Sequence, residues 1–233
     1  MIAMKIDAPF VSVPGLNGLF VRNLFCIGRN YAEHARELGN AIPTEPVVFL
    51  KPSSAVAFSG GHIILPKVSQ RVDHEVELVI AIGRGGAQIP VHEALSHVAG
   101  VAVGIDVTAR DLQEQAKKKA LPWAVAKGFD TFAVLGDFAP LTTANGALET
   151  FELSLSVNGE KRQGGRVGDM LFSVPKLVSY LSSVFRLAPG DLIYTGTPPG
   201  VAPLLAGDQV TADLRDGAGQ VVSAIQVGVR AGE

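Results

Sequence analysis

The segment Asp73-His74-Glu75-Val76-Glu77-Leu78-Val79-Ile80-Ala81-Ile82-Gly83 sets two spaced carboxylates at the head of a run rich in Val and Ile and closed by glycine. Such a run reads as a β-strand. Side chains alternate along a strand, so Glu75 and Glu77 point to one face. Two like charges side by side are unfavourable unless a cation or a shared proton compensates them. A second apolar strand candidate, Val103-Gly104-Ile105-Asp106-Val107-Thr108, carries a third acid, Asp106. Three carboxylates with no thiolate cluster suit a hard divalent ion, Mg²⁺ or Mn²⁺, and three protein ligands leave positions open for substrate and water.

The rest of the chain is what a globular enzyme needs. Its 233 residues allow ample core, 47% are hydrophobic and 18% charged, and the net charge is −2. Nothing in that balance advertises nucleic acid or an anionic membrane. The basic run Lys117-Lys118-Lys119 is short and reads as a solvated helix face. The single cysteine, Cys26, excludes an internal disulfide and sits in the apolar run Leu24-Phe25-Cys26-Ile27, as a buried small hydrophobe does. There is no signal pattern at the N-terminus and no apolar stretch near the roughly 20 residues that span a bilayer, so a cytoplasmic location is expected.

One domain over residues 1–233 is expected, with residues 1–22 as an irregular or hairpin lead-in. Strands are expected at Leu24 to Ile27, Val47 to Lys51, near Ile63 to Leu65, and up to Asp106. Helices are expected at Tyr31 to Leu38, with Asn30 as N-cap and Gly39 as stop, and at Val91 to Ala99 behind Pro90. A third spans Thr108 to Lys119 with Ala109, Leu112 and Ala116 on one face. From Phe151 on the pattern is mostly β, with a hairpin turn at Asn158-Gly159 and one helix from Val174 to Phe185.

His34 and Glu37 lie three residues apart on the first short helix and share a face. A carboxylate beside an imidazole orients the ring and stabilises its protonated form, and the pair can activate a water; alone, such a pair is also a common feature of solvated helices. Lys127, between the apolar Trp123-Ala124-Val125-Ala126 and Gly128, reads either as a fixed charge reaching into a cleft or as a snorkelling surface lysine. The loop Thr195-Gly196-Thr197-Pro198-Pro199-Gly200 exposes N–H groups and a hydroxyl suited to a carboxylate or oxyanion, or is a plain turn.

Taken in order, the motifs resemble the fumarylacetoacetate hydrolase family from about Leu24 to about Asp213. They are Gly28-Arg29-Asn30-Tyr31-Ala32-x-His34, Val48-Phe49-Leu50-Lys51-Pro52, His74-Glu75-Val76-Glu77-Leu78 and Asp106-Val107-Thr108-Ala109-Arg110-Asp111. Lys119-x-Leu121-Pro122-Trp123, Ala126-Lys127-x-Phe129-Asp130 and Gly190-Asp191-x-Ile193-x-Thr195-Gly196-Thr197-Pro198-x-Gly200-Val201 complete the series. The short length and the His34/Glu37 helix look most like the acylpyruvate and fumarylpyruvate hydrolase branch. The resemblance implies an α+β fold, a mixed β-sandwich roll with a few short helices, usually as a homodimer. It implies Mg²⁺ or Mn²⁺ on Glu75, Glu77 and Asp106, water activation by His34 and Glu37, and substrate polarisation by Lys127. It places Gln113 and Thr197, with Gly196 in the same loop, at the oxo-acid end of the substrate, and Arg29 and Lys51 near the site by motif only.

The activity so implied is metal-dependent C–C hydrolysis of acylpyruvates, 2,4-dioxo acids such as fumarylpyruvate or acetylpyruvate, to pyruvate and a carboxylic acid. The alternatives are oxaloacetate decarboxylation, or a decarboxylase or isomerase of an aromatic degradation pathway. A larger oxo-diacid would need further cations, for which Arg110 and Lys117 to Lys119 are candidates. A non-catalytic binder would not need His34, Glu37 and Lys127, and all three are present.

Overall fold

The computed structural model describes residues 9–13, 18–37, 41–141 and 147–232. It is an α+β structure of mixed sheets with few helices, the main sheet curling into a half-barrel. Seven strands of the eight-stranded sheet run in the order Val47–Lys51, Leu24–Gly28, Leu192–Tyr194, Val76–Ile82, Val98–Asp106, Ala133–Leu135, Val56–Phe58, and Ala139–Pro140 pairs alongside on Val98–Asp106. A five-stranded sheet runs Glu160–Arg166, Glu152–Val157, Gln209–Arg215, Val221–Ala231, His62–Leu65. The hairpin at its edge turns through Asn158 at φ 52° and Gly159 at φ 81°, the left-handed pair that a two-residue turn requires.

Both faces of Val76–Ile82 are buried, and the alternation decides what each face meets. Leu78, Ile80 and Ile82 join a core cluster that also takes Leu153, Leu155, Leu214, Ile225 and Val227 from the second sheet. Val79 and Ala81 join a smaller cluster with Cys26, Ala102 and Tyr194. Glu77 falls on that second face. Antiparallel register sets Glu77 opposite Gly104 and Val76 opposite Ile105. A Cβ on Gly104 would lie 2.4 Å from Val79 Cγ2 and 2.8 Å from Tyr194 Cε1, so only glycine fits there. The ladder is interrupted at Glu75, whose carbonyl accepts the Asp106 N–H at 2.8 Å. Neighbouring strands therefore deliver the three acids to one place.

The helices are α1 (Ala32–Glu37), α2 (Arg110–Lys118), α3 (Ala124–Lys127) and α4 (Val174–Val184). Three expectations are corrected. Asn30 is not a cap: it is fully buried, its Nδ2 donates to the carbonyls of Thr195 and Phe172, and its Oδ1 accepts the Phe172 N–H. The residues after Pro90 wind as a 3₁₀ helix, Val91–His97. Helix α2 starts at Arg110, and it buries Arg110 and Gln113 while Leu112 and Ala116 are only half-buried. The expected helix end at Leu38 and Gly39 lies outside the described residues. In the lead-in, Phe10–Val11 pairs antiparallel with Leu19–Phe20. Cys26 is buried, and burial pushes its thiol pKa up. Among the described residues no helix is long and apolar enough to cross a membrane.

Candidate active site

Glu75, Glu77 and Asp106 are at most 5% exposed, and each offers an oxygen within 4.8 Å of the others. Two buried lysines reach Asp106. Lys127, from the last turn of α3, donates to Asp106 Oδ2 at 2.7 Å and Glu75 Oε2 at 2.8 Å. Lys51 Nζ donates to the carbonyls of Val107, Lys127 and Phe132 at 2.9, 2.6 and 2.7 Å. An ammonium has three hydrogens. All three point there, so Lys51 faces Asp106 Oδ1 at 2.7 Å chiefly as a charge, and among the described residues that buried oxygen has no well-aligned hydrogen-bond donor.

Arg110 spans Asp73, Glu75 and Gln113: its Nε donates to Asp73 Oδ2 at 2.9 Å, its Nη2 to Glu75 Oε1, and its Nη1 to Gln113 Oε1 at 2.7 Å. Burial alone would raise the pKa of Glu75, but Lys127 and Arg110 outweigh it and hold the carboxyl well below its ordinary range. Glu77 is the opposite case. Among the described residues no side-chain cation pairs with it, and its Oε2 accepts only the Gly196 N–H, at 2.7 Å. Burial, then Asp106 and Glu75, push its pKa well up. Burial lowers the pKa of Lys127, but Asp106 and Glu75 more than offset this and hold it above its ordinary value.

The cleft above the acids is lined by Arg29, His34, Gln113, Lys127 and Thr197 among others, with Phe49, Trp123 and Ile27 as its apolar wall. Arg29 adopts φ 60°, a left-handed conformation unusual for a long side chain, and its buried Nε has no partner among the described residues. His34 is 4% exposed, and its Nδ1 lies 3.4 Å from Glu37 Oε2. Glu37 is 36% exposed and also accepts the Gly200 N–H at 3.2 Å, so it ties α1 to the 195–200 loop while facing water. Burial lowers the His34 pKa more than Glu75 and Glu37 raise it. Gly196, at φ 104°, lets that loop close on Asn30, whose Cβ would be 2.6 Å from an added Cβ.

The sequence-derived residues divide accordingly. Glu75, Glu77, Asp106, Lys127, His34, Arg29, Gln113 and Thr197 come together at the cleft. Lys51, Gly196 and Glu37 are not on its lining; the donors of the first two are spent on the Asp106 region and on Glu77, and Glu37 stands behind His34. The cleft also has Arg110 and Lys117 on its wall, and Lys117 lies 5.3 Å over the Trp123 ring, so it is not a plain solvated lysine. Burial, then Arg110 and Arg29, lowers its pKa.

The family profile described as Fumarylacetoacetate (FAA) hydrolase C-terminal matches residues 23–227. The chain belongs to the fumarylacetoacetate hydrolase family. It is 47% identical over 191 residues to a protein named as the mitochondrial oxaloacetate tautomerase of Arabidopsis thaliana, covering 82% of this chain and 85% of that one. It is 46% identical over 194 residues to one named as the mitochondrial oxaloacetate decarboxylase of Dictyostelium discoideum, covering 83% and 88%. A solved structure of fumarylpyruvate hydrolase from Pseudomonas aeruginosa, in complex with Mn²⁺ and pyruvate, superposes with a TM-score of 0.88 at 36% identity over 100% of both chains.

The acids of this member fit a divalent cation on their own chemistry. The donor set is all oxygen, and among the described residues Asp106 Oδ1 is buried with no well-aligned hydrogen-bond donor. Burial, then Asp106 and Glu75, favour the protonated form of Glu77, whereas a bound cation favours its carboxylate, so Mg²⁺ uptake is expected to be accompanied by proton release from Glu77. Affinity should then strengthen as pH rises towards the Glu77 pKa, and Glu77→Gln should remove the release. Calorimetric titration in two buffers of different ionisation enthalpy checks this. Equal heats in both would mean that no proton leaves.

Proposed function

We propose that this family member hydrolyses the C–C bond of acylpyruvates, 2,4-dioxo acids such as fumarylpyruvate or acetylpyruvate, with Glu75, Glu77 and Asp106 holding Mg²⁺ or Mn²⁺. The observation that carries the reading is the cleft itself, which joins the acid triad to a buried histidine backed by a half-exposed carboxylate. A bound divalent ion supplies Lewis-acid charge for the 2-oxo oxygen of the substrate. Burial favours the neutral form of His34, the form a base needs. Glu37 at Nδ1 selects the tautomer that leaves Nε2 free to take a proton from water. Hydroxide adds to the distal carbonyl carbon, the bond to the pyruvate methylene breaks, and its electron pair enters the enolate. His34 returns the proton, and the products are pyruvate and a carboxylic acid. Lys127 offers fixed positive charge where the enolate develops. Arg29, Gln113 and Thr197 supply donors for the substrate's carboxylate.

A second reading, tautomerisation or decarboxylation of oxaloacetate, is favoured by the names of the relatives at 47% and 46% identity. It shares the enolate but needs no attacking water, which makes Glu37 the residue that separates the two. Metal-stripped protein with Mg²⁺ restored should release pyruvate from an acylpyruvate faster than from oxaloacetate. Glu37→Gln should lower acylpyruvate hydrolysis about 10²-fold while oxaloacetate enolisation, followed by ultraviolet absorbance, falls far less. Because Glu37 raises the His34 pKa, its loss should move the acid limb of kcat/KM to lower pH. A wild-type enzyme that processes oxaloacetate and no acylpyruvate would move the assignment to the second reading.

A further inference from the structure

We propose that Gln163 is a positioning residue that turns the Thr197 hydroxyl into an obligate donor towards the cleft. The proposal rests on the reading that Thr197 meets the substrate's carboxylate. Gln163 belongs to the second sheet, on Glu160–Arg166, yet it is 1% exposed and bonds to the wall of the cleft. Its Oε1 lies 3.0 Å from the Val76 N–H, which can only donate. Its Nε2 lies 2.9 Å from the Pro198 carbonyl, which can only accept. These two partners fix which end of the carboxamide is oxygen. The remaining contacts inherit that polarity. His74 Nδ1, 2.8 Å from Oε1, must carry its proton. Thr197 Oγ1, 2.8 Å from Nε2, must accept.

A hydroxyl has one proton, and with Gln163 donating to its oxygen that proton points elsewhere. The one other described acceptor is the Pro198 carbonyl at 3.5 Å, too long for a good bond and already served by Gln163. Thr197 lines the cleft, so its proton is left for a ligand. Gln113 is polarised in the same sense on the same cleft: Arg110 donates to its Oε1, which leaves its N–H groups for the ligand. A group bound to both must accept at both contacts, as the two oxygens of a carboxylate do.

Gln163→Glu tests this with one atom. The new carboxylate keeps the shape and still accepts from Val76 and His74, but it offers an oxygen to Thr197, whose hydroxyl then turns to donate to it. Oxalate, a small dicarboxylate, is titrated calorimetrically into the Mg²⁺-loaded wild type, Gln163→Glu, Thr197→Val and the double variant. Each single change should weaken oxalate roughly tenfold, and the double variant should bind no worse than Thr197→Val alone. Gln163→Met, which opposes no oxygen to the Pro198 carbonyl, serves where the glutamate variant fails to fold, and its loss should likewise vanish in the Thr197→Val background. With substrate, the defect should fall more on KM than on kcat. Losses that multiply in the double variant would overturn the proposal, because Gln163 would then act independently of Thr197. An unchanged oxalate affinity in Thr197→Val would overturn it too, and pyruvate release by the wild type then shows separately whether the hydrolase reading stands.

Discussion

Asp106→Asn is expected to lower turnover of every substrate by on the order of 10³-fold, the several kcal/mol that a Lewis acid contributes to a developing enolate. The reason lies in where Asp106 sits. It ends the strand Val98–Asp106, its backbone N–H is fixed by the Glu75 carbonyl, and its two oxygens face Lys127 and Lys51. An amide in its place removes one charge and one hard donor, and turns an NH₂ group towards one of two buried ammonium ions. The Mg²⁺ affinity should fall with the activity, and saturating Mn²⁺ should restore part of it, because only one of three ligands is lost. A variant with wild-type turnover and an unchanged Mg²⁺ titration would remove Asp106 from the metal assignment and leave the triad as an internal ion-pair cluster.

The legible part of this site is the part written in local pattern. Alternation placed Glu75 and Glu77 on one face, and the apolar strand placed Asp106, because strand geometry ties sequence spacing directly to direction in space. What pairs those strands is long-range, and Gly104 opposite Glu77 is explicable only once the register is known. Helix α2 misleads for a physical reason. Apolar periodicity assumes that the buried face meets hydrocarbon, but here it meets carboxylates, so Arg110 and Gln113 are inside. Val221–Ala231, the longest strand, carries a clear alternation at Ser223, Ile225, Val227 and Val229 that found no place in the expected elements. Gln163 has no local signal at all. It stands in the polar stretch Glu160-Lys161-Arg162-Gln163, and its role arises because one sheet folds against the end of another.

Motif and geometry part company at Lys51. By resemblance it sits near the substrate, but its ammonium is spent on three carbonyls and the charge of Asp106. Those carbonyls belong to Val107, after the strand Val98–Asp106, to Lys127, at the end of α3, and to Phe132, before the strand Ala133–Leu135. One buried charge therefore ties three segments to the strand Val47–Lys51. Lys51→Met fills similar space but takes one donor from each of three carbonyls, of which Phe132 keeps the Val107 N–H, and leaves Asp106 with one cation fewer. Breaking a buried charge pair in this way costs about 3–5 kcal/mol, which for a chain of this size lowers Tm by roughly 10 °C. The same change makes the acid triad more negative. Folded Lys51→Met should therefore bind Mg²⁺ more tightly than wild type, and added Mg²⁺ should raise its Tm by a larger increment. Thermal unfolding of both proteins with and without Mg²⁺ checks the two effects together. A Tm drop with no extra response to Mg²⁺ would mean that the Lys51 charge is not felt at the triad, and an unchanged Tm would mean that the carbonyls find other donors.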